Sequence, residues 1–173
     1  MMHRTVHLLT LTLALTLVST QSRHLDAQEA GISIGTMAPA AMVETLDGRP
    51  MDLATYIGKG KPVVLEFWAT WCPLCRKLEP AMQAARTRHA GQVTFVSVGV
   101  SSNQSPERQR AHVAANGMGG EFVFDRHDAA TKAFAVPHTS YVVVLDGRGK
   151  VVYTGVGAEQ DIEAAVQKGL SVR

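Results

Sequence analysis

Only two cysteines occur among the 173 residues. That excludes a disulfide-rich scaffold and a four-cysteine zinc module. Charge is sparse as well: Asp, Glu, Lys and Arg make up 18% of the chain, and the formal net charge is +2. An excess that small leaves no electrostatic footprint for nucleic acid or an anionic membrane surface. No internal repeat and no low-complexity tract is present. What the chain does have is apolar residues, 46% of the total, enough to bury a core. Removing an export segment of about 27 residues leaves roughly 146, the size of one domain.

The first residues read differently from the rest. Arg4, with His3 and His7, makes a weakly basic start. Leu8 to Val18 (LLTLTLALTLV) then carries no charge. The run is too short to span a hydrocarbon core, which takes about 20 helical residues. It fits the apolar region of a secretory signal. Small residues at Ser22 and Ala27 offer two imperfect cleavage sites, and no cysteine is present for a lipid anchor. Two readings stand for residues 1–27, a cleaved signal or a retained membrane anchor. Both place the domain outside the cytoplasm. Residues 28–38 read as a linker and 39–173 as the domain.

Along that domain, Met42–Leu46 alternates, Asp47-Gly48 is a turn pair, and Met51–Leu53 alternates again, which predicts a β-hairpin. Val63–Trp68 is almost wholly apolar, the pattern of a strand covered on both faces. A helix should begin after Trp71-Cys72-Pro73, with Leu74, Leu78, Ala81, Met82, Ala85 and His89 on one face. Pro80 interrupts it. Val93–Val100 predicts a second buried strand. Ser105-Pro106-Glu107 opens a helix that ends near Asn116-Gly117. Phe122–Asp125 reads as a short strand or edge, Asp128–Ala135 as a short helix, Tyr141–Leu145 and Val151–Thr154 as a hairpin, and Glu159–Leu170 as a closing helix. The fold class is therefore α/β, a mixed sheet sandwiched by helices.

Cys72-Pro73-Leu74-Cys75 is a C-x-x-C at the junction of a strand and a helix. The attacking species in disulfide exchange is a thiolate, and a free cysteine with pKa near 8.5 is mostly protonated at pH 7. A helix N-terminus carries unpaired N–H groups and partial positive charge, which stabilise a sulfur anion placed there. Two intervening residues bring the sulfurs within bonding distance. This predicts Cys72 as the exposed attacking sulfur and Cys75 as the sulfur that resolves the mixed disulfide. A purely structural disulfide over so short a loop would constrain the unfolded chain little. Half of a zinc site would need a second ligand pair, and none stands at zinc spacing.

The stretch Phe67-Trp68-Ala69-Thr70-Trp71-Cys72-Pro73-Leu74-Cys75-Arg76 resembles the active-site segment of the thioredoxin superfamily. With Gly58–Leu65 and the leading hairpin, it is similar to the exported TlpA and ResA-like thiol–disulfide oxidoreductases. The resemblance runs from about residue 34 to the C-terminus. It implies a thioredoxin fold, a dithiol/disulfide cycle without a bound cofactor, and a reducing role toward disulfide-containing substrate proteins. It further implies a membrane electron donor of the thiol-relay type, a monomer, and a periplasmic or otherwise extracytoplasmic location. Glu66, six residues before Cys72, takes the place of the family's buried acid. A carboxyl group in apolar surroundings has a raised pKa and can shuttle the resolving thiol's proton. Trp71, Pro73, Thr139 and Ser140 fall where the family meets its substrate.

Two departures stand out. The family's cis-proline slot, counted back from Asp146, falls on Ser140, preceded by Thr139. A cis bond there would cost about 3 kcal/mol more than before proline. The expectation is a trans peptide at Ser140, or Pro137 rearranged into the slot. The second departure is Val136-Pro137-His138-Thr139-Ser140, which resembles the histidine loop of Sco-type copper proteins. Cys72, Cys75 and His138 would then offer two thiolates and an imidazole to Cu(I). Copper chaperoning is the alternative function, and cysteine spacing argues against it. His138 could also tune the thiolate or lie idle. His89, His112 and His127 read as solvated.

Overall fold

A computed structural model describes residues 31–172. The export segment expected over 1–27 lies outside the described residues. Among the described residues, seven strands and four α-helices follow in the order that the hydrophobic pattern predicts: β1 Met42–Thr45, β2 Pro50–Asp52, β3 Val63–Trp68, α1 Pro73–Arg88, β4 Thr94–Val100, α2 Pro106–Ala115, β5 Glu121–Asp125, α3 Ala129–Ala133, β6 Tyr141–Leu145, β7 Val151–Val156 and α4 Ile162–Ser171. A single 3₁₀ turn, Leu53–Thr55, follows the first hairpin.

The strands form one mixed sheet in the order β2-β1-β5-β4-β3-β6-β7. Strands β3, β4 and β5 run parallel, as the strand–helix alternation requires. The hairpins β1–β2 and β6–β7 add antiparallel strands at the two sides. All six residues of β3 are buried, because β3 lies between β4 and β6 with apolar layers on both faces. On one face Leu65, Phe67, Val96, Val98, Val143 and Tyr141 meet Phe134 of the turn after α3. On the other, Val64, Val142 and Val144 pack against Leu78 and Met82 of α1 and Ile162 and Val166 of α4. Successive strand side chains alternate faces, so Glu66 points to the same side as Val64, the side covered by α1.

Four expectations change. Of the two readings for Phe122–Asp125, the short strand holds and the edge does not: β1 pairs with β5 and shifts the sheet edge outward to β2. Residues 31–38 are not a free linker. Gly35 N donates to Val151 O at 2.8 Å, Val151 N to Thr36 O at 2.9 Å, and Ile32 N to the Tyr141 hydroxyl at 3.0 Å. Leu74 and Ala81 stay outside the core, because the inward stripe of α1 runs through Cys75, Leu78, Met82 and Ala85. His89, expected to be solvated, is buried at the C-cap of α1, where its Nε2 lies 3.0 Å from Glu163 of α4.

Candidate active site

The reactive turn starts where β3 stops. Ala69, Thr70 and Trp71 bridge from Trp68 to Cys72, and Cys72 is the N-cap of α1 with extended backbone (φ −75°, ψ 115°). Its Sγ accepts a hydrogen bond from Cys75 N at 3.1 Å. Pro73 occupies the first helical turn, where a missing N–H costs nothing. Cys72 and Cys75 form a disulfide with Cα atoms 5.3 Å apart. The sulfur thus sits against the N–H groups that favour an anion there.

Both cysteines are enclosed, Cys72 at 2% and Cys75 at 4% exposure. This corrects the expectation of an exposed Cys72. Bonded to Cys75, its sulfur turns inward toward the cluster of Phe67, Trp68 and Ala69, while the flanking Trp71 and Leu74 take the solvent side. The turn is held from the loop that follows β4. Gln104 Oε1 accepts from Thr70 N at 3.0 Å, and its Nε2 donates to Val100 O at 2.7 Å. Trp71 Nε1 donates to Ser102 O at 2.7 Å, which fixes the indole beside the cysteines. Gln104 carries no sequence signal: a glutamine in a polar loop looks like any other.

Glu66 is 2% exposed and faces Ser97 and Val142 on the adjacent strands. Burial pushes its carboxyl up to about 8, the Arg86 guanidinium opposes that rise, and the Glu79 carboxylate adds to it. Glu66 and Cys75 line one cavity of about 170 Å³, together with Trp68, Glu79 and His112. His112 is half-buried, its ring 5.8 Å from that of Trp68, and not the solvated residue expected. His127 is exposed.

Across the sheet end, Ser140 precedes β6. Its N donates to Phe67 O at 2.8 Å, its Oγ to Gly157 O at 3.0 Å, and its carbonyl accepts from Gly157 N and Gln160 Nε2. Among the described residues no peptide bond is cis, and Ser140 adopts left-handed backbone (φ 65°). The slot is therefore held by Ser140 in a trans peptide, and Pro137 does not enter it. Thr139 is half-buried and His138 is exposed. Among the described residues no group of three or more His, Cys, Asp or Glu side chains is placed to hold a metal ion. In this disulfide form both cysteines are enclosed and His138 is exposed.

Residues 33–169 match the Redoxin family model. The chain belongs to the Redoxin family. Within it, the chain is 31% identical over 141 residues to the thioredoxin-like protein YneN of Bacillus subtilis, covering 79% of this chain and 80% of that one. It is 30% identical to the thiol–disulfide oxidoreductase ResA of Geobacillus thermodenitrificans, over 79% and 78% of the two chains. A crystal structure of a thiol:disulfide interchange protein DsbE from Chlorobium tepidum superposes with a TM-score of 0.69 at 25% identity, over 81% of this chain and 97% of that one. This Redoxin chain has the thioredoxin fold and is a thiol–disulfide oxidoreductase built on a dithiol/disulfide pair, Cys72 and Cys75.

Proposed function

We propose that this enzyme is an exported disulfide reductase in which Cys72 attacks, Cys75 resolves and Glu66 manages the proton. The observation that carries the reading is the N-cap position of Cys72, with the Cys75 N–H directed at its sulfur. In the reduced enzyme the Cys72 thiolate attacks one sulfur of a substrate disulfide. That S–S bond breaks, a mixed disulfide to Cys72 forms, and the first substrate thiolate leaves. Cys75 then gives its proton to the ionised fraction of Glu66 through their shared cavity and attacks Cys72 Sγ. The Cys72–Cys75 bond forms and the second substrate thiolate departs. Two electrons have passed from enzyme to substrate.

Regeneration reverses the proton path. A dithiol donor opens the Cys72–Cys75 bond, and protonated Glu66 returns its proton to Cys75. A membrane thiol relay fits that donor, and the N-terminal segment fits export. Trp71, Pro73, Thr139 and the Ser140 turn surround the attack site and fit a substrate chain, with the enzyme acting as a monomer.

The test is trapping. A Cys75→Ala variant, expressed from the full chain, should hold substrate proteins on Cys72 as mixed disulfides recovered from the extracytoplasmic fraction. The wild type should reduce insulin disulfides when supplied with a dithiol. Absence of any trapped partner, together with no insulin reduction, would refute the reading.

A further inference from the structure

Arg86 is the most unusual side chain near this site. It stands on α1, yet only 7% of it is exposed. Its Nη1 donates to Glu79 Oε1 at 2.6 Å, and its Nη2 donates to Ser97 Oγ at 3.2 Å. The same Nη2 lies 3.7 Å from Glu66 Oε2. Arg86 Nε has no hydrogen-bond partner among the described residues. A buried guanidinium with an idle N–H is a poor way to stabilise a fold, because desolvation offsets most of the attraction. Its placement between two carboxyl groups has a different consequence.

We propose that Arg86 and Glu79 form a charge clamp on Glu66: Glu79 occupies the guanidinium and so leaves Glu66 free to exchange its proton with Cys75. The geometry is asymmetric in the required way. Glu79 holds Arg86 at hydrogen-bonding distance, while Glu66 is an ångström farther. The Glu79 side chain is 24% exposed, so water reaches its carboxylate while the Glu66 carboxyl stays enclosed. Arg86 screens Glu66 enough to keep its titration near neutrality, and Glu79 stops that screening from going further. The proposal rests on the proton role given to Glu66 above.

The charged and titratable groups around Glu66 are few. From α1 come Arg86, Glu79, Arg76 and Cys75, and from α2 comes His112 across the cavity. Strand β4 offers Ser97, and β6 offers Val142. Helix α4 meets this face through Ile162, Ala165 and Val166, none of them charged. Among these, Arg86 and Glu79 form the ion pair nearest the carboxyl group.

The experiment is a ¹³C carboxyl NMR titration of the full chain in its disulfide form, with the Glu66 signal assigned by its loss in Glu66→Gln. The wild-type midpoint is about 8. In Glu79→Gln the freed guanidinium turns to Glu66, and the midpoint falls below the wild-type value. In Arg86→Gln it rises above the wild-type value, and Arg86→Lys brings it back toward it. Mere structural damage gives no such opposite shifts. Should Arg86→Gln fail to fold, Glu79→Gln and Arg86→Lys carry the test. A Glu79→Gln midpoint that stays put or rises would overturn the clamp. The pH dependence of mixed-disulfide release separates the two ideas. If it tracks the midpoint, both stand. A shifted midpoint with an unmoved release profile supports the clamp and refutes instead the proton role of Glu66.

Discussion

Replacing Glu66 by glutamine should remove a loss of stability that the wild type suffers as pH rises toward 8. The folded carboxyl titrates at about 8, against an ordinary 4.5. The folded state therefore holds a proton that the unfolded chain has released over the whole interval between those values. Stability is intact below pH 4.5, falls as pH climbs toward 8, and levels off above it. At about 1.36 kcal/mol per pH unit, the loss is about 3 kcal/mol at pH 7 and about 5 kcal/mol above pH 8. An amide in that place has nothing to titrate, so the Glu66→Gln variant escapes this loss. Any fixed cost of the amide displaces its curve vertically and leaves the slope alone. The assay is urea unfolding of the disulfide form at a series of pH values. With a urea dependence of about 2 kcal/mol per molar, the variant's midpoint should exceed that of the wild type by about 1.5 M more at pH 7 than at pH 4. Parallel curves for the two proteins would refute the assignment of a buried, protonated Glu66.

Other consequences follow from the same geometry. Ser140→Pro should cost at least about 3 kcal/mol by thermal or urea unfolding, because φ 65° is closed to proline and the N–H to Phe67 O is lost. Ser140→Gly should stay within about 1 kcal/mol of wild type, the relaxed backbone offsetting the lost hydroxyl bond; a proline variant of equal stability would mean the turn can rearrange. Gln104→Ala should cost about 1–2 kcal/mol and speed hydrogen exchange at the Thr70 amide, which NMR would detect. Unchanged protection at Thr70 would show that the turn holds itself. His138→Ala should leave Cu(I) affinity of the reduced protein unchanged in a competition titration. A tenfold loss, about 1.4 kcal/mol, would bring back the three-ligand copper reading.

The elements were legible because their signals are local. Apolar runs marked β3, β4 and β6, and Ser105 caps α2 by accepting from Arg108 N, as its sequence context predicts. The C-x-x-C marked Cys72 and Cys75, the family resemblance added Glu66, and Glu66 and Cys75 line one cavity. What escaped depends on distance through space. Arg86 reads as one more charged residue on a helix, and nothing in the chain says that it turns under the sheet toward Glu66. His89 and His112 look like surface histidines until α4 and the Trp68 ring are set beside them. Cys72 is enclosed in the disulfide form, which the residue string does not encode. Strand β5 looked like an edge because the hairpin that covers it lies far away in sequence.

The central position of β3 bears on how the enzyme is made. One neighbour, β4, follows after a single helix, but the other, β6, comes near the far end of the chain. The middle of the sheet therefore stays open until almost the whole chain has been synthesised, since distant pairings must await their loop closure. Cys72 and Cys75, only three positions apart, meet long before that. In the folded enzyme both are enclosed, with Trp71 on the solvent side. The pair can therefore meet before the sheet beneath it is complete.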